Sequence, residues 1–278
     1  AGVDIRAIAQ GSTQLQISVC VERKDCTKAL RAAHAALALS NTQLSVAVVG
    51  ATGQVGREFL RQLAGSKRVR TCKDMLPGKR KVMSDLRLDL KVTALARSEQ
   101  MRLSYDGIDV SDGDGELWAD DDKLEEADLE ALTRFMTDDF NGNRVIVDCS
   151  ASQDVADFTE RWLRLGIHVV AANKRIGSGS AGQFDKCKQL VRSGRAQWYY
   201  EPTAPGSGLP VLTTLRDMTQ SGDRVYCVSG LFSGALSYIF AALRKGVPFS
   251  KAVRRAAEDG LCEPDPRDDL NGIDVTRQ

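Results

Sequence analysis

Short apolar runs alternate with helical patterns through the middle of the chain. Buried β-strands are predicted where β-branched and other apolar residues stand in a row, at 44–50, 86–98, 144–150, 167–174 and 196–203. Amphipathic helices are predicted between them, at 51–65, 155–166 and 182–194, with another from about Lys123 at the end of an acidic loop. This alternation of strand and helix is typical of a doubly wound parallel sheet, the Rossmann arrangement.

The first part of the chain has a different pattern. Ile17, Val19 and Val21 alternate with Ser18 and Cys20 as in a half-buried strand, and the Ala and Leu residues of 27–39 have helical spacing. Strand, turn, strand and helix over about 40 residues make half of a small α/β sandwich. Half a sheet lacks partner strands, so we expect the chain to begin inside a domain.

The pattern changes again after Gly206. It predicts a helix over 209–222, a strand over 224–234, and two helices over 236–246 and 249–260. The last residues, LCEPDPRDDLNGIDVTRQ, form a Pro/Asp turn and the first turn of a helix, so we expect the chain to stop within a domain.

Composition narrows the class of protein. The 278 residues suggest roughly two domains, and 38 basic against 37 acidic residues give a net charge of +1, which favours neither nucleic acid nor an anionic membrane as partner. No apolar run approaches the roughly 20 residues that cross a bilayer. The seven cysteines are scattered without a C-x-x-C pair, so neither a disulfide framework nor a zinc site is predicted. A soluble, intracellular protein is expected.

Three glycines follow the first strand of the parallel series. Gly50, Gly53 and Gly56 have the spacing G-x-x-G-x-x-G, a variant of the dinucleotide-binding fingerprint. Such glycines let a strand turn sharply and let a phosphate reach backbone N–H groups at a helix N-terminus. The position between a predicted strand and helix favours dinucleotide binding over a purely structural turn.

The end of the second strand indicates which dinucleotide is bound. An acidic residue there would receive the ribose 2′-hydroxyl of NAD, whereas an arginine favours the 2′-phosphate of NADP. Arg97 and Ser98 occupy this place and favour NADP. The alternative interpretation of Arg97 is a solvated surface arginine.

Two further strand ends point at the same crevice, because ligands bind outside the carboxyl ends of parallel strands. Ser150 is small enough for the ribose or nicotinamide of a cofactor to lie close. Lys174 is a cation that could hold a substrate or transfer a proton. A lysine exposed at a strand end is the alternative.

Carboxylates are concentrated near the C-terminal end. They are Glu263, Asp265, Asp268, Asp269 and Asp274. Beside a cofactor, such a cluster suits the ammonium group of an amino-acid substrate. An acidic surface turn is the alternative, and a metal site is a lesser one because the calcium-loop pattern is absent.

Residues 145–275 resemble homoserine dehydrogenase. The matching pieces are VDCSASQDVADF, HVVAANK, GSGLPVL, SGLFSGALSYIF and EPDPRDDLNGIDV. The pieces IRAIAQGS and ISVCVERKDCTKALRAAH look like the end of the ACT regulatory region of bifunctional aspartokinase/homoserine dehydrogenases. The resemblance covers nearly the whole chain and is weakest over 57–140.

The resemblance implies an α/β fold with three parts. Residues 1–43 would be the C-terminal part of an ACT domain, 44–205 an NAD(P)-binding Rossmann domain, and 206–278 an incomplete α+β substrate domain. The implied activity is NAD(P)H-dependent interconversion of L-homoserine and L-aspartate 4-semialdehyde, in threonine, isoleucine and methionine biosynthesis. A homo-oligomer in the cytoplasm or a plastid is expected, with any targeting segment outside this chain.

The resemblance also implies roles for site residues. Glu263 and Asp274 would bind the amino and hydroxyl ends of the substrate, and Lys174 would contact cofactor and substrate. Ser150 would lie near the nicotinamide ribose. The pyrophosphate would be lined by Gly50, Ala51, Thr52, Gly53, Gln54 and Val55.

Two further sites follow from the resemblance alone. A sodium ion would be held around the turn before the substrate region, by Glu201, Pro205, Ser207 and Leu209. In the ACT part, Gln10 would be a threonine-sensing residue.

One position departs from the family. Homoserine dehydrogenases carry a catalytic lysine four residues after the position of Asp274, where this chain has Gln278. An amide cannot exchange a proton near neutral pH. The alternative prediction is therefore a catalytically impaired fragment that binds NADP or senses an amino acid.

Overall fold

A computed structural model describes residues 3–11, 16–36, 42–65, 88–111, 117–119, 123–204, 209–263 and 265–277. The strands are β1 (Ile5–Gln10), β2 (Ile17–Val21), β3 (Thr42–Val49), β4 (Leu88–Ala96), β5 (Gln100–Leu103), β6 (Glu125–Glu126), β7 (Arg144–Asp148), β8 (His168–Ala171) and β9 (Trp198–Tyr199). The helices are α1 (Cys26–Ala36), α2 (Gln54–Gly65), α3 (Leu129–Thr137), α4 (Gln153–Arg164), α5 (Ala181–Arg192), α6 (Val211–Gln220), α7 (Gly234–Arg244), α8 (Phe249–Glu258), α9 (Pro266–Leu270) and α10 (Ile273–Thr276).

The central sheet confirms the predicted doubly wound arrangement. Within the described residues it has seven strands in the order β6-β5-β4-β3-β7-β8-β9. Five neighbouring strands, β4, β3, β7, β8 and β9, are parallel. The strand order reverses between β3 and β7. A crevice for ligands is expected at the carboxyl ends of the strands at this reversal.

Helices cover both faces of this sheet, which explains the uninterrupted apolar run of β3. Val46 and Val48 pack with Leu60 of α2 on one face. On the other face, alternate residues of β3 join the cluster that contains Met136 and Trp162. Both sets are buried because successive side chains of a strand point to opposite faces.

An antiparallel extension at one edge corrects the predicted helix start. The helix predicted from Lys123 begins at Leu129, because Asp128 caps it by accepting a hydrogen bond from the Glu130 amide at 2.7 Å. The residues just before it form β6 instead, which pairs with β5 through Gln100 and Glu126. Neither short strand was predicted.

The N-terminal strands and helix have the predicted order. β1 and β2 form an antiparallel hairpin that α1 follows. Apolar side chains of the hairpin, including those of Ile8 and Ile17, are exposed. The boundary at residue 43 stays a prediction.

The C-terminal helices confirm the predicted pattern, but the strand predicted over 224–234 is wrong. Residues 221–231 are exposed and carry no regular structure, and Ser233 already caps α7. No strand of the described residues lies beside this segment to hydrogen-bond with it. α7 and α8 pack on each other through Ile239, Ala252 and Ala256.

No helix in the described part of the chain is both long and apolar enough to span a membrane.

A buried hydrogen bond between α3 and α4 gives a first prediction. The Trp162 indole donates to the Thr133 hydroxyl at 2.8 Å, and both side chains are buried. Thr133→Val leaves this indole N–H without an acceptor and should lower the free energy of unfolding by about 1–3 kcal/mol. Denaturant unfolding followed by tryptophan fluorescence measures the change.

Thr137→Val is the matched control. Among the described residues, the Thr137 hydroxyl bonds only to backbone carbonyls of its own helix. Its loss should change the free energy of unfolding by no more than about 0.5 kcal/mol. Equal losses in the two variants would contradict the role given to the Trp162 bond.

Candidate active site

The glycine-rich turn lies where the strand order reverses. The amides of Gly50 and Ala51 both donate to the carbonyl of Ala96, at 2.9 and 3.0 Å, so the turn is fastened to the end of β4. Gly50 has φ +78°, a conformation that side chains with a Cβ rarely adopt. α2 then begins at Gln54, with its N-terminus at the crevice.

Two glycines of the turn allow contacts that a Cβ would prevent. A Cβ on Gly50 would lie 2.8 Å from the Ser150 amide nitrogen, and one on Gly56 would lie 2.2 Å from the Gly50 carbonyl oxygen. The loop after β7 and the start of α2 can therefore approach the turn closely. This bare backbone at a helix N-terminus fits a dinucleotide pyrophosphate.

The other predicted residues of this turn differ in exposure. Ala51 is buried and Thr52 half-buried, whereas Gly53, Gln54 and Val55 are exposed. The amide of Gln54 lies against the turn after α8, 2.8 Å from where a Cβ of Gly260 would stand. The nucleotide turn thus contacts the part of the chain that carries the acidic residues.

A buried polar network joins the ends of β7 and β8. Asp148 accepts from the Ser150 amide at 2.9 Å and the Ser150 hydroxyl at 2.7 Å. Asn173 donates to Asp148 at 2.9 Å and to the Ser152 carbonyl at 2.9 Å. The network holds Ser150 beside Gly50 and fixes the backbone immediately before Lys174.

Lys174 brings together the two carboxylates predicted to bind substrate. Its ammonium donates to Glu263 at 2.6 Å and to Asp274 at 2.5 Å. An ammonium has three N–H donors, so one remains for a ligand. One lysine between two carboxylates leaves a net negative charge, which suits a second cation such as a substrate ammonium.

Short-range contacts order the turn that carries both carboxylates. Asp265 caps α9 by accepting from the Arg267 amide, and the buried Asp269 accepts from the Glu263 amide at 2.9 Å. Asp268 pairs with Arg277 at 3.0 Å. The acidic cluster is therefore divided, because only Glu263 and Asp274 reach Lys174.

The charge states follow from burial and pairing. Burial lowers the pKa of Lys174, but the bonds to Asp274 and Glu263 outweigh it, and the pKa lies above its ordinary value. Burial raises the pKa of Asp148 more than its hydrogen bonds lower it. Burial also raises the pKa of the Cys149 thiol to about 12, so that thiol is neutral. Lys174 is accordingly a protonated acid at neutral pH.

Arg97 lies directly after β4, at the position predicted for a 2′-phosphate contact. Its guanidinium stands over the Trp118 ring, 4.6 Å from the ring centroid, and hydrogen-bonds the Gln100 side-chain oxygen. It is half-buried rather than a freely solvated surface arginine.

The predicted sodium ligands are only partly placed. Both carboxylate oxygens of Glu201 accept hydrogen bonds at the start of α6, at 2.8 Å from the Leu212 and Thr213 amides. Leu209 is exposed, and Pro205 and Ser207 lie outside the described residues. No group of three metal-binding side chains occurs among the residues that the structure describes.

Gln10, the predicted threonine-sensing residue, stands apart from this site. Gln10 ends β1 and is exposed, opposite Ile17 in the hairpin. Gln278 lies outside the described residues.

Sequence reasoning missed three residues of the site. Asp148 and Asn173 adjoin predicted residues, and a polar residue at the end of an apolar strand run was the available signal. Trp118 lies in an acidic stretch and had no local signal.

The strand order and the glycine turn at its reversal define a dinucleotide-binding Rossmann protein. The family model "Homoserine dehydrogenase, NAD binding domain" matches residues 52–201, the homoserine dehydrogenase model matches 210–278, and an ACT domain model matches 1–37. The chain belongs to the homoserine dehydrogenase family, and its Rossmann unit is that family's nicotinamide-dinucleotide-binding domain.

A plant relative supports this membership. The chain is 39% identical over 281 residues to bifunctional aspartokinase/homoserine dehydrogenase 1, chloroplastic, of Arabidopsis thaliana. The match covers 100% of this chain and 29% of the relative, so the chain spans less than a third of that protein's length.

Solved structures share the fold. Homoserine dehydrogenase from Thermoplasma acidophilum has a TM-score of 0.63 at 21% identity, over 84% of this chain and 66% of that one. A hyperthermophilic archaeal homoserine dehydrogenase in complex with NADPH has a TM-score of 0.60 at 17% identity. The match covers 84% of this chain and 67% of that one.

The close packing of the turn predicts opposite effects for two glycines of α2. Gly56→Ala forces a Cβ against backbone atoms of the turn, so it should destabilise the chain by more than about 2 kcal/mol and weaken NADPH binding. A Cβ at Gly65 meets no atom of the described residues within 4 Å, so Gly65→Ala should be neutral or stabilise the helix by up to about 1 kcal/mol. Thermal unfolding and NADPH titration measure both, and equal behaviour of the pair would refute the close approach.

The polar network predicts a cost for removing its central amide. Asn173→Leu leaves the buried carboxylate of Asp148 without one donor and should lower the free energy of unfolding by about 1–3 kcal/mol. Gln183→Leu is the control, because the one side-chain hydrogen bond that the described residues give Gln183 is long, at 3.4 Å, and its loss should change little. Chemical denaturation followed by tryptophan fluorescence compares them, and a neutral Asn173→Leu would show that the network is dispensable.

Proposed function

We propose that the chain carries the dehydrogenase site for NADP-linked interconversion of L-homoserine and L-aspartate 4-semialdehyde. The observation that carries the proposal is the Lys174 ammonium held between Glu263 and Asp274 at the carboxyl edge of the sheet. The site adjoins the nucleotide turn, because Asn173 and Ser150 connect it to Gly50.

The cofactor is proposed to be NADP rather than NAD. Arg97, with Ser98 beside it, stands where a 2′-phosphate is received, and neither residue is the acid that would hold a 2′-hydroxyl. The archaeal relative in complex with NADPH supports this choice. When bound, the nicotinamide supplies or accepts the hydride.

The substrate is proposed to bind with its ammonium group on Glu263 and its hydroxyl or aldehyde oxygen toward Lys174 and Asp274. During reduction of the aldehyde, C4 gains a hydride and the oxygen gains a proton. Lys174 is protonated at neutral pH and can give that proton to the developing alkoxide, in the manner of a general acid. In the reverse direction the hydride leaves C4 for the nicotinamide, and the neutral amine form of Lys174 takes the proton from the substrate hydroxyl as a general base.

A second candidate function rests on Gln278. The family's lysine would share the proton transfer, and an amide cannot. A module that binds NADP or an amino acid without turnover is therefore the alternative.

Further features of the protein are proposed on the strength of the relatives. The ACT match supports an amino-acid effector, for which we propose threonine sensed near Gln10. The chloroplastic plant relative supports a location in a plastid, and the cytoplasm is the other candidate location. A homo-oligomer and a sodium ion at Glu201, Pro205, Ser207 and Leu209 complete the proposal.

Turnover and binding are measured on the same preparation to separate the two functions. NADPH should bind, and addition of L-aspartate 4-semialdehyde should oxidise it, as followed by nicotinamide absorbance. Lys174→Met should lower the rate roughly 100- to 10 000-fold. Lys251→Met, which removes an exposed lysine of α8, should leave the rate unchanged.

Each outcome points to one function. Semialdehyde reduction that depends on Lys174 supports the dehydrogenase function. A higher rate in Gln278→Lys shows that the Gln278 amide limits the rate of reduction. NADPH binding without turnover in both the parent chain and Gln278→Lys favours the second candidate. Absence of NADPH binding contradicts the dehydrogenase and the NADP-binding form of the second candidate, and leaves its amino-acid-binding form to be tested by titration with threonine.

A further inference from the structure

The guanidinium of Arg97 is held by neutral partners. Its side chain contacts the amide oxygen of Gln100 and the face of the Trp118 ring. No carboxylate of the described residues pairs with it, in contrast to Arg267, which is paired with Asp265. Among the described residues, the positive charge of Arg97 is therefore oriented by a neutral amide and an aromatic ring and not by an ion pair.

Trp118 is fixed from behind by the protein core. Its neighbour Leu117 is buried with Val92 and Leu95 of β4, and the Trp118 ring packs against the same cluster. The Leu117 carbonyl accepts a hydrogen bond from Arg102 of β5 at 3.1 Å. The ring is thus a firm support on which the more flexible arginine side chain can stack.

The ring acts through its face and not through its N–H group. The indole nitrogen of Trp118 is buried and finds no acceptor among the residues that the structure describes. The stacking contact with Arg97 is the interaction that remains. Another flat aromatic ring at this position could make the same contact.

Within the described part of the chain, several guanidinium donors of Arg97 have no acceptor and could bind a ligand. Arginine has five N–H donors in a rigid plane, and the side-chain oxygen of Gln100 takes one. The backbone places this group at the nucleotide site, because the Ala96 carbonyl just before Arg97 accepts from Gly50 and Ala51. A planar donor group held there matches the oxygens of a phosphate.

We propose that Trp118 is a specificity-determining residue for the 2′-phosphate of NADP, which it favours by holding the Arg97 guanidinium in its binding orientation. The inference rests on the proposed NADP-linked function and adds a residue to it. Trp118 would not touch the phosphate. It would restrict the Arg97 side chain before the phosphate binds, so that phosphate binding costs less conformational entropy.

Calorimetric titration with nucleotide fragments tests this without any turnover. Adenosine 2′,5′-bisphosphate carries the 2′-phosphate, and 5′-AMP lacks it. Trp118→Leu should weaken binding of the bisphosphate about 3- to 10-fold, the range of a cation–π contact, and leave 5′-AMP unchanged. Trp118→Phe keeps a ring face and should restore most of the difference.

Two further variants complete the design. Arg97→Lys keeps the charge but loses the flat stacking surface, so it should weaken binding of the bisphosphate and not of 5′-AMP. This variant provides a test even if Trp118→Leu fails to fold. Phe158→Leu removes another arginine–aromatic contact, with Arg161 at 5.8 Å, and should change neither affinity.

The outcomes separate this inference from the proposed function. A parent chain that binds both fragments equally contradicts NADP as the cofactor. A parent chain that prefers the bisphosphate, with that preference intact in Trp118→Leu and Arg97→Lys, overturns the role of Trp118. If Trp118→Leu weakens binding of both fragments by the same factor, the effect is a general structural one, and the proposed role of Trp118 is overturned as well.

Discussion

The site depends on a buried carboxylate that holds two strand ends together. Asp148 takes hydrogen bonds from Ser150 on its own loop and from Asn173 at the end of the next strand. Burial of a charged group is costly, so the donors that satisfy it are held strongly in place. The loop beside Gly50 and the backbone before Lys174 are positioned by this one group.

From that edge, contacts reach parts of the chain that are distant in sequence. Lys174 meets Glu263 and Asp274, which follow it by 89 and 100 residues. Gln54 at the start of α2 lies against Gly260. The nucleotide turn, the lysine and the acidic turn thus form one continuous surface, in which a bound cofactor and a bound amino acid would be neighbours.

Most of the sheet could be predicted from local patterns, because a parallel strand buried on both faces is a run of apolar residues. The strand predicted over 224–234 failed, since an apolar run does not show whether a partner strand lies beside it. β5 and β6 were missed because they are short and pair only with each other and with β4. The ion pairs of Lys174 have no local signal, and only the family resemblance placed those residues together.

The two bonds of Lys174 have a consequence for the timing of the proposed proton transfer. A substrate ammonium that settles on Glu263 competes with the lysine for the same oxygens. In the proposed binding mode, each arriving substrate would therefore release a second N–H of Lys174 as its own oxygen comes within reach. Exchange of one cation for another would thus leave Lys174 with two N–H donors toward the substrate oxygen, in place of the one that the resting site leaves.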